Sequence, residues 1–314
     1  MPSNILDPQM TDVLRKQKEL VPTKRVVSKL ALEEIRELYN LDRAFWNANG
    51  PKLPSVRELQ IPGPVGEIAL RCYLPETNRQ LPALIYLHGG GWIMGNLDTH
   101  DRIMRSLALH SRIAIIGVDY HLAPEYKFPI ALNETLTVLH YLEAHGTSLG
   151  INRDILALGG DSAGANMAVS AAQIHNAAGP KNIRYLLLYY GSYGLRDSRS
   201  RRLFGSQEDG MSRNDLDYYR SCYFRNSEDE TDPRFNVLDG DIAALPPALI
   251  IAAEYDPLRD DSLALKGRMD QMGITSDLQI VKGVLHGFLQ YSRSLDKAAS
   301  ALVNGGEAIH RALT

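Results

Sequence analysis

Ser162, in the sequence GDSAG of residues 160–164, has the surroundings of a nucleophile. The apolar run 155–158 predicts a buried strand before it, and the small and apolar residues from Ala163 onward predict a helix after it. A serine in the sharp turn between strand and helix exposes its hydroxyl, and the flanking glycines leave room for the backbone. The helix N-terminus adds N–H donors that favour a developing negative charge. The alternative is a serine that only caps a helix in a glycine-rich turn.

A second glycine-rich segment, HGGGW at residues 88–92, directly follows the apolar run of another predicted strand. Three adjacent glycines favour a loop whose backbone approaches a ligand closely. Such a loop directs N–H groups at the oxyanion of a tetrahedral intermediate, together with the N–H that follows the nucleophile. We therefore expect Gly89, Gly90 and Ala163 to form an oxyanion hole. A phosphate-binding loop is the other interpretation, but the GKS/T and GxGxxG patterns are both absent.

A nucleophilic serine needs a base, usually a histidine that a carboxylate orients, and such histidines lie downstream of Ser162. His175 lies on the helix predicted after the serine, and His310 lies in a terminal amphipathic helix. His286 instead follows a predicted strand and precedes a glycine, which is where a loop would place an active imidazole. We therefore predict that His286 is the base.

The acid is expected at the end of the strand predicted over residues 247–254. Asp256 has this position and precedes a predicted helix. Asp260 and Asp261 lie a turn into that helix, where acidic residues favour the helix N-terminus, and Glu254 is still near the strand end. Asp256 is the favoured acid, and these three carboxylates remain alternatives.

The elements that must position these groups form an α/β pattern. Short apolar runs alternate with helix-length segments at residues 81–88, 113–120, 155–160, 185–190, 247–254 and 276–283. Nearly continuous apolar strands predict a mostly parallel sheet that helices cover on both faces. Before them, two alternating runs at 56–62 and 67–75 predict a β-hairpin.

Two segments fall outside this pattern and predict a helical cap. Residues 11–47 have the periodicity of amphipathic helices, and residues 191–245 interrupt the sheet pattern with charges, turns and aromatic residues. We expect an N-terminal cap segment over residues 1–50 and a main α/β domain over residues 51–314. Within that domain, residues 191–245 are expected to contribute to the cap, above the strand ends where open α/β sheets bind ligands.

Composition excludes several other classes of protein. The 314 residues carry a net charge of −3, so nucleic acid is not an expected partner. Cys72 and Cys222 are far apart, which argues against a disulfide framework and a thiolate metal site and fits a reducing compartment. The N-terminal segment lacks the features of a signal peptide, and no apolar run has the ~20 residues that span a bilayer. We expect a cytoplasmic protein that does not bind membranes.

Five motifs occur in one order along the chain: HGGGW (88–92), DYHLAPE (119–125), GDSAGAN (160–166), DPLRDDS (256–262) and HGF (286–288). On these motifs the chain resembles the hormone-sensitive-lipase branch of the α/β-hydrolases. Segments 43–48, 95–105, 194–198 and 286–293 are most similar to the bacterial acetyl esterases of that branch. One departure is His121, because this motif usually reads DYRLAPE, and it leaves the local ion pairing open.

The resemblance implies an α/β-hydrolase fold with a helical cap and a serine carboxylesterase that hydrolyses short acyl esters, acetyl to butyryl. It implies a small-molecule ester as substrate, no metal or organic cofactor, and a monomer or homodimer. Ser162 would be the nucleophile, His286 the base and Asp256 its orienter. The residues expected to support them are His88, Gly91, Trp92, Asp161 and Glu125. An amidase, a lactonase, a sugar deacetylase and a non-catalytic ligand-binding relative remain alternatives.

Overall fold

A twisted sheet occupies the centre of the computed structural model, which describes residues 6–21, 30–205 and 211–314. Its strands within these residues are β1 Ser55–Pro62, β2 Glu67–Leu74, β3 Leu81–Leu87, β4 Ala114–Asp119, β5 Ile151–Asp161, β6 Ile183–Tyr189, β7 Ala248–Tyr255 and β8 Ser276–Leu285. The spatial order is β1-β2-β4-β3-β5-β6-β7-β8. The pairs β1–β2 and β2–β4 are antiparallel, and the others are parallel. The predicted hairpin and mostly parallel sheet are therefore confirmed.

Helices connect most of the strands and also make up much of the two predicted cap segments. They are α1 Pro8–Leu20, α2 Leu32–Asn47, α3 Asp101–Ser111, α4 Ile130–His145, α5 Ala163–Ala177, α6 Arg199–Phe204, α7 Arg213–Tyr223, α8 Arg259–Gln271 and α9 Asp296–Leu313. Parts of the segments 1–50 and 191–245, namely residues 1–5, 22–29 and 206–210, lie outside the described residues. Within the described ranges, no helix has both the length and the apolar character needed to cross a membrane.

The core consists of two apolar layers, one on each face of the sheet. Strand β3 shows why. Its residues alternate between the layers: Ile85 and Leu87 belong to one, and Leu84 and Tyr86 belong to the other. Alternate side chains of a strand point to opposite faces, so a strand that is apolar throughout needs cover on both sides. Helices α4, α5 and α8 cover one face, and α1, α3 and α9 cover the other.

Strand β5, which leads to the serine, begins earlier than its apolar run predicts. Its first residue is Ile151, which is buried and pairs with Leu81, whereas the sequence predicts a start at Ile155. Polar residues 152–154 separate Ile151 from the apolar run and conceal this extension in the sequence. The pairing of β5 with β3 also shifts register between Leu81 and Ala83. The shift leaves the end of the strand, and therefore the position of the serine, as predicted.

The insertion after β6 is attached to the sheet by a buried carboxylate. Asp261, in the first turn of α8, accepts hydrogen bonds from the backbone N–H groups of Tyr193, Gly194 and Leu195 at 2.8, 3.2 and 3.2 Å. It also accepts a hydrogen bond from Arg201 Nη2 at 3.0 Å. Because Asp261 is fully buried, these four donors replace the water that its charge would otherwise require. They fix the start of the insertion against the strand ends.

Candidate active site

Ser162 occupies a strained turn between β5 and α5. Its backbone has φ 53° and ψ −115°, and its N–H donates to the Tyr189 carbonyl at 2.9 Å. A Cβ at Gly160 would lie 2.3 Å from the Leu87 carbonyl oxygen, and one at Gly164 would lie 1.9 Å from the same atom. Only glycine fits at either position, and the predicted sharp turn is present. Strain of this kind persists where the surrounding structure holds a functional side chain in place.

Three groups that lie far apart in the sequence meet at this turn. His286 Nε2 lies 2.9 Å from Ser162 Oγ, and His286 Nδ1 lies 2.8 Å from Asp256 Oδ2. The other oxygen of Asp256 accepts a hydrogen bond from the Leu258 N–H at 2.7 Å. A carboxylate only accepts hydrogen bonds, so Nδ1 carries the imidazole proton and Nε2 is free to accept the serine proton. The His286 side chain is 12% exposed and Asp256 is fully buried.

The alternative acids have other partners. Glu254 accepts a hydrogen bond from the Gly283 N–H at 2.8 Å, which ties β7 to β8. Asp260 accepts from the Ser200 N–H at 2.8 Å, and Asp261 holds the start of the insertion. Among the four candidate carboxylates, Asp256 is therefore the one that the structure places against the imidazole.

The alternative histidines also lie elsewhere. His175 is on the last turns of α5, where its Nε2 contacts Asn182 Oδ1 at 2.8 Å. His310 is on α9, where its Nδ1 lies 2.8 Å from the Ser111 carbonyl. Neither ring contacts Ser162, so His286 is the histidine that the fold brings to the serine.

The structure corrects one member of the predicted oxyanion hole. The N–H of Gly89 donates to Asp161 Oδ1 at 3.0 Å, so it is not available to an oxyanion. The same oxygen accepts from the Tyr86 hydroxyl at 2.9 Å. Burial opposes ionisation of Asp161, but the nearby His100 and these two hydrogen bonds lower its pKa. Asp161 thus fastens the glycine loop to the turn that carries the serine, and it does so through the first glycine.

The remaining N–H groups of the loop keep their donor capacity. Within the described ranges, the N–H groups of Gly90, Gly91 and Ala163 donate to no protein acceptor. Gly90 and Gly91 have φ 129° and 60°, which turns the loop after its attachment through Gly89. The predicted oxyanion hole has Gly89 in place of Gly91, because spacing alone cannot show which of three adjacent amides the fold uses internally.

His88 is a neutral ring that contacts the backbone of the glycine loop. It is buried, its Nδ1 contacts the Gly89 carbonyl at 2.9 Å, and its ring stacks on Tyr120 with centroids 4.2 Å apart. The Tyr120 hydroxyl donates to the His88 carbonyl at 2.8 Å. Burial, together with the nearby His100, lowers the pKa of His88 from 6.5 to about 3.

This lowered pKa predicts a dependence of stability on pH. The unfolded chain protonates His88 near pH 6.5, whereas the folded protein keeps the ring neutral until about pH 3. The contribution of neutral His88 to the free energy of unfolding is therefore complete above pH 6.5 and declines as pH falls towards 3. Between pH 7 and pH 5 the loss is about 2 kcal/mol. Urea unfolding should show a smaller change in the free energy of unfolding between pH 7 and pH 5 for His88→Gln than for the wild type. The variant of the exposed His145, His145→Gln, is the control. Equal changes in the free energy of unfolding in all three proteins would contradict a neutral His88 in the folded protein.

A side chain from the N-terminal segment braces this loop, and no local pattern in the sequence indicates it. Arg36 on α2 donates from Nε to the Ile93 carbonyl at 2.7 Å and from Nη2 to the Ala123 carbonyl at 2.9 Å. Its two terminal nitrogens also bind the Glu125 carboxylate at 2.7 and 2.8 Å. Glu125 therefore supports the site indirectly, because it orients the arginine that joins α2 to the glycine loop.

Aromatic contacts join the insertion to the same loop. Trp92 stacks on Tyr223 of α7 with ring centroids 4.6 Å apart, and a Cβ at Gly91 would lie 2.7 Å from the Tyr219 ring. The Tyr190 ring contacts His286 edge to face, with centroids 4.9 Å apart. Because Trp92 is buried, the stack with Tyr223 stabilises the position of α7 over the loop.

The departure at His121 has a local explanation. Its Nδ1 lies 2.5 Å from Glu134 Oε1, and its backbone N–H donates to Glu134 Oε2 at 2.8 Å. Glu134 is fully buried on α4. The histidine therefore satisfies the carboxylate that anchors this loop to the helix, and it takes no part in the contacts around Ser162.

Known proteins share this fold. A family profile described as an alpha/beta hydrolase fold matches residues 84–290, more than half of the chain. The chain belongs to the α/β-hydrolase family. This α/β-hydrolase is 42% identical over 279 residues to an acetyl esterase of Salmonella paratyphi A, an alignment that covers 87% of this chain and 85% of the relative.

Solved structures of esterases superpose closely on this α/β-hydrolase. An esterase of Pyrobaculum calidifontis has a TM-score of 0.92 at 29% identity, covering 98% of this chain and 100% of the other. An ester hydrolase from the metagenome of Lake Arreo, complexed with a bipyridine phosphonate derivative, has a TM-score of 0.92 at 31% identity. That superposition covers 98% of this chain and 99% of the other.

Proposed function

We propose that this α/β-hydrolase is a serine carboxylesterase, with Ser162 as nucleophile, His286 as base and Asp256 as the group that orients the base. The observation that carries the proposal is the position of His286, whose two ring nitrogens lie 2.9 Å from Ser162 Oγ and 2.8 Å from Asp256 Oδ2. The esterases among its relatives support carboxylic esters as substrates.

The reaction proceeds in two stages through an acyl-enzyme. In the first, Ser162 Oγ attacks the ester carbonyl carbon while His286 Nε2 accepts the hydroxyl proton. The intermediate collapses as the imidazolium gives that proton to the leaving alcohol. In the second, His286 takes a proton from water, the hydroxide attacks the acyl carbon, and the proton returns to Ser162 as the acid leaves. Buried Asp256 stabilises the imidazolium in both stages.

The oxyanion hole of this proposal consists of the N–H groups of Gly90, Gly91 and Ala163. Fixed donors stabilise the charge that develops on the carbonyl oxygen, and no reorganisation is needed when the charge appears. Two of these donors are held by the attachment of Gly89 to Asp161, and the third is the first residue of α5. The dipole of α5 favours negative charge at the same point.

A cap built from residues 1–50 and 191–245, over the hydrolase domain of residues 51–314, belongs to the same proposal. It is supported by the contact of Arg36 with the Ile93 carbonyl and by the stack of Trp92 on Tyr223. Bulky side chains this close to the glycine loop favour small acyl groups, from acetyl to butyryl. A cytoplasmic location and a monomeric or homodimeric state also remain proposals, the first on the sequence grounds given above.

A series of p-nitrophenyl esters tests the proposed substrate class. We expect kcat/KM to be highest for the acetate to butyrate esters and at least about tenfold lower for the decanoate, because each methylene that a closed pocket rejects costs about 1–3 kcal/mol. A maximum at octanoate or decanoate would contradict the proposed acyl size. The matching anilide, p-nitroacetanilide, is the control for the amidase alternative, and its hydrolysis at the rate of the acetate ester would contradict a carboxylesterase.

A further inference from the structure

We propose that His140, Glu143 and His175 form a binding site for a divalent transition metal such as Zn²⁺, separate from the serine site. One ligand atom from each of the three side chains lies within 4.8 Å of the others. Two imidazoles and one carboxylate form a donor set that suits zinc and related ions. The proposal does not depend on the function proposed above.

The two helices α4 and α5 bring these residues together. His140 and Glu143 are three residues apart on α4, so they project from the same side of that helix. His175 comes from the last turns of α5, and its ring centroid lies 5.9 Å from that of His140. The three donors therefore approach one another from two helices.

One pair of donors already has the separation of two ligands on a shared ion. His175 Nε2 lies 3.1 Å from Glu143 Oε1. Two ligands of a tetrahedral zinc ion, each about 2.0–2.1 Å from the metal, lie about 3.3 Å apart. A ring nitrogen of His140 lies within 4.8 Å of both atoms, and in the proposed site rotation of this exposed side chain brings it closer to them.

Asn182 contacts both members of this pair and holds them side by side. Its Oδ1 lies 2.8 Å from His175 Nε2, and its Nδ2 donates to Glu143 Oε1 at 2.7 Å. A metal ion would replace the first of these contacts, and the neutral imidazole would ligate through Nε2 with its proton on Nδ1. The second contact would remain and hold the carboxylate in orientation.

The place of this cluster in the fold predicts a structural effect. His175 is 13 residues beyond Ser162 along α5, which corresponds to about 20 Å at 1.5 Å per residue. An ion there would join the ends of α4 and α5 without touching the reacting atoms. Binding should therefore raise the melting temperature and leave ester hydrolysis unchanged, because a ligand of the folded state alone stabilises that state.

Titration of the untagged full chain with ZnCl₂ by isothermal calorimetry at pH 7.5 tests the site. We expect about one equivalent of zinc in the wild type and a rise in melting temperature. His140→Ala and Glu143→Gln should each weaken binding at least about tenfold and abolish the rise, because each removes one of three ligands. His145→Ala, an exposed histidine on the same helix, is the matched control and should bind zinc like the wild type.

Three results would overturn the proposal. The first is zinc binding of equal strength in the wild type, His140→Ala and Glu143→Gln. The second is binding that His286→Ala removes and His140→Ala does not, which would place the ion at the serine site. The third is the absence of binding at millimolar zinc in the wild type. His140 is exposed, so its alanine variant keeps the fold, and circular dichroism checks this.

Discussion

Ser162→Ala is expected to lower the turnover of p-nitrophenyl acetate by about four to six orders of magnitude. The substitution removes the atom that forms the acyl-enzyme. The oxyanion donors and His286 then support only slow direct hydrolysis of the ester by water. The fold should remain intact, because the Ser162 side chain contributes a single described hydrogen bond, the one to His286 Nε2. Steady-state and single-turnover rates with purified protein measure the effect.

The matched control is Ser170→Ala, about two turns further along α5. Ser170 is buried and its hydroxyl has no hydrogen-bond partner among the described residues, so its removal should leave the turnover within about threefold of the wild type. A Ser162→Ala protein that retains more than a tenth of the wild-type activity would contradict the assignment of the nucleophile.

Asp256→Asn should lower kcat by about 10,000-fold while the geometry stays the same. The carboxylate accepts the Nδ1 proton of His286 and so presents Nε2 to the serine as an acceptor. An asparagine amide can donate to Nδ1, and the imidazole then carries its proton on Nε2, where it cannot accept the serine proton. The loss should appear in kcat, with little change in KM for the acetate ester.

Asp260→Asn is the control for this prediction. Asp260 lies four residues further along the same motif, and its carboxylate binds the Ser200 N–H at 2.8 Å. We expect its variant to retain activity close to that of the wild type. Equal losses in the two asparagine variants would show that the effect comes from disturbance of α8, and would contradict the role of Asp256.

Much of the fold follows from local patterns in the sequence. Six apolar runs predict the strands β3 to β8, and two alternating runs predict β1 and β2. The prediction is best where a strand is buried on both faces and therefore lacks polar positions, as in β3. The turn at Ser162 is predictable for a different reason: side chains at Gly160 and Gly164 would collide with the Leu87 carbonyl. The partners of Ser162 follow from their position after strand ends, since parallel strands end at one edge of the sheet.

The contacts that the sequence could not supply are those between segments with no local signal. Nothing near Asp161 indicates that its carboxylate takes the N–H of Gly89, 72 residues away, and this contact decides which loop amides remain for an oxyanion. The same holds for Arg36, which has the pattern of an exposed helix residue and yet binds the Ile93 carbonyl. Such contacts depend on how loops close over the sheet, and periodicity carries no information about that.

Covalent labelling with an organophosphate shows whether Ser162 is the activated nucleophile. Incubation with one equivalent of a p-nitrophenyl phosphonate, followed by peptide mass spectrometry, reports which hydroxyl the site activates. We expect a single adduct at Ser162, formed in proportion to the loss of esterase activity. In Asp256→Asn, labelling should slow by about the same factor as ester turnover. An adduct at another residue, or full labelling of Ser162 with no loss of activity, would contradict this role of Ser162.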